Sequence, residues 1–105
     1  MTAITPQATD HSNLLPLASR FVDVAALPWE KGLHAGCEAK TLLADPATGL
    51  LTVLLRMAPG ATLPDHEHVL IEQTYVLEGS LVCGEGVCRA GEFVWRPAGS
   101  RHEAW

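Results

Sequence analysis

Gly60-Ala-Thr-Leu-Pro-Asp-His66-Glu-His68-Val-Leu-Ile-Glu72-Gln-Thr-Tyr-Val-Leu-Glu-Gly79 is the stretch on which the reading of the fold turns. His66 and His68 stand two apart, and in a strand that spacing puts both imidazoles on one face. Glu67 between them points the other way by strand parity and reads as a solvated or rim residue. Glu72 follows four residues after His68, past an apolar turn. Two imidazoles and a carboxylate at short range form a donor set for a divalent ion of the zinc, iron or manganese kind.

A second stretch, Gly91-Glu-Phe-Val-Trp-Arg-Pro97-Ala-Gly99-Ser-Arg-His102, carries a third imidazole. The two stretches have the forms G-x5-H-x-H-x3-E-x6-G and G-x5-P-x-G-x2-H. Position for position they resemble the two motifs of the cupin superfamily. Leu27-Pro-Trp29-Glu-Lys-Gly and Lys40-Thr-Leu-Leu are similar to the cupin subgroup that includes the sensor domain of some anti-sigma factors and the acetylacetone-cleaving dioxygenases. The resemblance implies an all-β cupin fold, the double-stranded β-helix or jelly-roll-like antiparallel barrel. It also implies one divalent ion per chain, Fe2+, Zn2+, Mn2+ or Ni2+, held by His66, His68, Glu72 and His102. The second cupin motif usually continues to an Asn a few residues after its His, a position beyond Trp105. The closing strands expected after His102 are also missing, so the reading is of a chain cut short or of a barrel closed by a partner strand.

The chain has 105 residues, enough for one domain with a modest core. Lys and Arg total 7 against 12 Asp and Glu, and the net charge of -5 argues against nucleic-acid or anionic-membrane binding, which need a basic face. No apolar run approaches the length of a membrane span. Met1 is not followed by a basic region and an apolar core, so no signal peptide is read. Three cysteines, with no disulfide-scaffold spacing, point to reduced thiols and the cytoplasm. Cys83 and Cys88 flank the turn Gly84-Glu-Gly86-Val, and a disulfide between them needs a specific cross-strand geometry. As free thiols they read as small apolar residues in or near the sheet.

Residues 1–19 are polar and broken by Pro6 and Pro16, and read as a loose N-terminal arm. Residues 20–105 read as a single domain of short strands punctuated by Gly and Pro. Strands are expected at Arg20-Phe-Val-Asp-Val-Ala, Cys37–Asp45, Leu50–Met57, Thr74–Glu78, Ser80–Cys83, Val87–Arg89, Glu92–Arg96 and from Arg101 on. Leu27 to Gly36 reads as a loop, and Asp45-Pro-Ala-Thr-Gly49 as a hairpin turn. Ala61 to His68 is extended, with Pro64 marking an edge or a bulge. The nearly continuous apolar residues from Leu42 to Met57 are expected to be covered on both faces, which suits a homodimer.

Three imidazoles and a carboxylate around a six-coordinate ion leave two positions for water, substrate or O2, in the manner of non-haem iron sites. An enolisable diketone could chelate there with its pKa lowered. The expected function is therefore a small metal-dependent dioxygenase-like enzyme acting on a diketone or related ketone. The competing reading is a zinc-binding regulatory or sensor module without catalysis. A sugar isomerase would favour a more basic pocket. His11 and His34 read as ordinary surface residues, and Arg56, Arg96 and Arg101 as exposed or ion-paired, with the alternative of orienting a substrate oxygen. Phe93 and Trp95 share a face by parity, and one of them is a candidate pocket wall.

Overall fold

The computed structural model describes residues 3–9, 11, 14–32, 34–68 and 70–105. By contacts the chain divides into two compact units, Met1–Ala58 and Pro59–Trp105. Both are built of antiparallel strands, so the all-β class expected from the sequence is the class observed.

In the first unit β1 (Glu30–Lys31), β2 (Cys37–Asp45) and β3 (Leu50–Met57) form one sheet in the order β1-β2-β3. The β2–β3 hairpin has the expected ends and turn. Asp45 organises that turn: its carboxylate accepts from the Ala47 N–H at 3.1 Å, and its carbonyl accepts from the Gly49 N–H at 2.9 Å. Gly49 takes φ 78, a left-handed conformation that a Cβ disfavours. Register runs from Cys37↔Met57 to Asp45↔Leu50, with a bulge between Thr41 and Leu43.

Three expectations in this unit are corrected. Arg20 to Ala25 is not a strand; Val24–Ala26 forms a 3-10 turn. Local bonds from Ala26 N–H to Asp23 O and Leu27 N–H to Val24 O, at 3.1 and 3.2 Å, take the groups a ladder would need. The loop before Gly36 contains the short strand β1, which pairs with Glu38 and Ala39. In the N-terminal segment Ile4 and Ala44 exchange backbone hydrogen bonds at 2.9 and 2.7 Å. Thr5, buried, donates its hydroxyl to Leu42 O. His11 is buried too, not a surface residue: its Nδ1 accepts from the Thr5 N–H at 3.3 Å and its Nε2 meets Phe21 O at 3.2 Å.

The second unit is a set of nested ladders. β4 (Leu63–Glu67) pairs with β9 (Arg101–Ala104), β5 (Glu72–Tyr75) with β8 (Phe93–Arg96), and β6 (Ser80–Cys83) with β7 (Gly86–Arg89). The chain after β9 returns to β6, where Val82 and Trp105 exchange backbone bonds at 2.8 and 2.9 Å. Pro64 sits where the β4–β9 register shifts, between Leu63 and His66, as its missing N–H requires. Strand β5 starts at Glu72 rather than Thr74 and stops at Tyr75. Alternation along β5 and β8 turns Glu72, Thr74, Val94 and Arg96 inward and leaves Gln73, Tyr75, Phe93 and Trp95 exposed. Phe93 and Trp95 therefore lie on the face opposite to the one that carries Glu72 and Arg96.

Candidate metal centre

The β4–β9 ladder sets His66 directly opposite His102. His68, just past the end of β4, is pinned by its own backbone: its N–H donates to Ser100 O at 2.8 Å, and its carbonyl accepts from the Gly99 N–H at 2.6 Å. Gly99, at φ 87, makes this turn in a backbone conformation other residues avoid. The three rings form a near-equilateral group, with centroids 4.6 to 4.8 Å apart. One donor atom from each lies within 4.8 Å of the others.

Each Nδ1 has an oxygen neighbour. His66 Nδ1 meets Pro64 O at 2.8 Å, His102 Nδ1 meets Glu103 O at 3.0 Å, and His68 Nδ1 meets Glu72 Oε2 at 3.3 Å. Assigned from these acceptors, the tautomer carries the proton on Nδ1 and leaves the Nε2 lone pair free. Yet His102 Nε2 stands 2.6 Å from His68 Nε2. Two lone pairs facing each other at that distance repel unless a proton or a cation lies between them. This donor set fits a divalent ion.

His102 is buried, and burial is the main force holding its pKa below the ordinary value, with the nearby Arg96 charge adding to it. The bond to Glu103 and the charge of Glu72 oppose these. The net effect favours the neutral imidazole that a metal needs.

Glu72, the fourth residue singled out in the sequence, stands on the Nδ1 side of His68. Its other oxygen, Oε1, accepts from Thr74 Oγ1 at 3.3 Å and lies 3.6 Å from Arg96 Nε. Arg96 is buried and its Nε has no hydrogen-bond partner. The other guanidinium nitrogens reach Glu85 Oε1 at 2.9 Å and Cys83 Sγ at 3.5 Å. Burial raises the Cys83 thiol pKa, but Arg96 and the backbone N–H groups of Glu85 and Gly86 more than reverse this, leaving it below the ordinary value. Cys83 lies opposite Gly86 and Cys88 opposite Leu81, so the two thiols are not paired across the hairpin, and both are free.

The sequence reading left Arg96 as exposed or ion-paired. The signal that finds it is parity: Arg96 shares a face with Val94 and lies opposite Glu72. The other two arginines are exposed and paired. Arg56 bonds Glu38 at 3.0 Å over the Trp29 ring, and Arg101 bonds Asp65 Oδ2 at 3.0 and 3.1 Å. A cleft of about 280 Å³ opens beside His102, lined by Asp65, Gly84, Glu85, Arg101 and Glu103.

A family model described as the ChrR Cupin-like domain matches residues 18–105. No curated protein matches the chain significantly. No helix among the described residues is long and apolar enough to cross a membrane.

Proposed function

Since the chain belongs to the ChrR cupin-like family, we propose that it is a metal-binding cupin whose ion is held by His66, His68 and His102, with the Glu72 carboxylate behind His68 on its Nδ1 side. The observation that carries this is the arrangement of ring nitrogens: three Nδ1 atoms beside oxygens, and two Nε2 atoms face to face at 2.6 Å. Glu72 neutralises charge and holds the His68 ring with Nε2 presented.

The first reading is an enzyme, a small non-haem dioxygenase-like protein acting on a diketone or related ketone; what supports it is the three-imidazole donor set, which would leave coordination positions for a substrate oxygen. A bound divalent ion supplies Lewis acidity that lowers the pKa of an enolisable ketone. Within the cleft Asp65 is paired with Arg101 and Glu85 with Arg96. Glu103, the remaining acid of the lining, leaves the walls net acidic, which disfavours an anion there. The ChrR description of the family favours the second reading, a zinc-binding regulatory module without catalysis.

Oxygen uptake by anaerobically iron-loaded protein, with a panel of β-diketones and hydroxyacetophenones, separates the two. Ketone-dependent uptake is expected. No uptake alongside tight zinc binding selects the regulatory module, and failure to bind either ion ends both readings. A homodimer belongs to the same proposal: Leu51, Val53 and Leu55 share a face of β3 and are exposed, which suits cover by a second copy. Sedimentation at working concentration tests it, and a monomer refutes it.

A further inference from the structure

We propose that Arg96 is a positioning residue for the metal centre, acting through Glu72 on His68. The inference rests on the metal-binding reading above. Arg96 and Glu72 are direct cross-strand partners on β8 and β5. Glu72 divides its oxygens between two neighbours: Oε2 lies 3.3 Å from His68 Nδ1, and Oε1 lies 3.6 Å from Arg96 Nε. The guanidinium is fixed from behind by Glu85 at 2.9 Å and Cys83 at 3.5 Å. Arg96 is buried and held at two nitrogens, and this leaves its Nε, which has no hydrogen-bond partner, beside the carboxylate.

Planarity of the guanidinium makes this possible. One rigid planar group faces Glu85, Cys83 and Glu72 from three separate nitrogens, whereas the three donors of an ammonium radiate from a single nitrogen. The Arg96 guanidinium beside Oε1 limits the rotation of Glu72, and a carboxylate held against Nδ1 makes His68 the better donor at Nε2. The alternative is that Arg96 merely braces the β6–β7 hairpin through Glu85. In that case its loss lowers stability and leaves the ion's surroundings alone.

Cobalt(II) is the probe, because its visible absorption reports ligand geometry and its affinity follows from competition with a chromophoric chelator. The proteins are wild type, Arg96→Lys, Arg96→Met, Glu72→Gln and Glu72→Gln combined with Arg96→Lys. Arg96→Lys retains charge and stem, and is the variant to rely on if Arg96→Met does not fold. Arg96→Lys is expected to bind cobalt about tenfold more weakly, with a changed visible spectrum. The double variant is expected to bind no more weakly than Glu72→Gln alone, because the effect of Arg96 passes through that carboxylate. Wild-type affinity and spectrum in Arg96→Lys overturn the inference, as does full additivity in the double variant. Wild-type protein that binds no cobalt overturns the metal reading and this one with it.

Discussion

The β2–β3 hairpin and the nested strands β4–β9 both bury polar side chains, but they satisfy them differently. In the first unit the partners are main chain. Thr5 donates to Leu42 O, Lys40 Nζ donates to Val24 O at 2.8 Å, and Asp45 accepts from Ala47 N–H. In the second unit main-chain partners take only part of the load, and side chains also meet one another. His102 meets His68, His68 meets Glu72, Glu72 meets Arg96, and Arg96 meets Glu85 and Cys83. A backbone partner closes the account of a buried polar group and fixes the chain. A network of side chains that leaves Nε2 lone pairs converging and Arg96 Nε without a hydrogen bond is arranged for something more than folding.

The contrast is broken or sharpened most strongly by removing a ring. His68→Ala is expected to abolish zinc uptake, while Lys40→Met leaves stoichiometry unchanged; elemental analysis after dialysis reads both. If Lys40→Met also loses zinc, the division between the units fails. Acidity comes next. The folded-state pKa of His102 is lowered below 6.5, so the folded state is favoured where the ring is neutral and loses that contribution as pH falls. Zinc affinity should hold near neutrality and then drop by up to about tenfold per pH unit for each ring protonated. Titration calorimetry across that range checks it, and affinity that is flat or rises on acidification contradicts histidine ligation.

Leu27→Ala tests the first unit in its own terms. Leu27 is buried, and truncation should cost about 2–5 kcal/mol in urea unfolding while the folded protein keeps its zinc affinity. A parallel loss of affinity would erase the distinction. Smallest is Glu72→Gln, expected to weaken zinc binding about 10–100-fold without abolishing it. Competition with a chelator measures this, and an unchanged constant removes Glu72 from the set.

Much of this was legible in the sequence, for reasons that can be traced to particular residues. The bounds of β2, β3 and β6 follow from apolar β-formers between Gly and Pro turns. His66 and His68 are brought together with His102 as their motif spacing implies. Strand β5 was misplaced because Glu72 and Gln73 are poor β-formers, and only their pairing with Arg96 and Trp95 draws them into the ladder. Arg20 to Ala25 alternates like a strand but has no partner strand among the described residues, and local turn bonds win. The burial of His11 depends on contacts with Thr5 and Phe21 that no periodicity announces. Arg96 was hidden by its charge, since a buried guanidinium is legible only once its partners are known.

X-ray absorption at the zinc edge of the loaded protein tests the central claim most directly. Back-scattering from three imidazoles with zinc–nitrogen distances of about 2.0–2.1 Å is the predicted result. A zinc shell of oxygens or sulfurs with no imidazole pattern would contradict it.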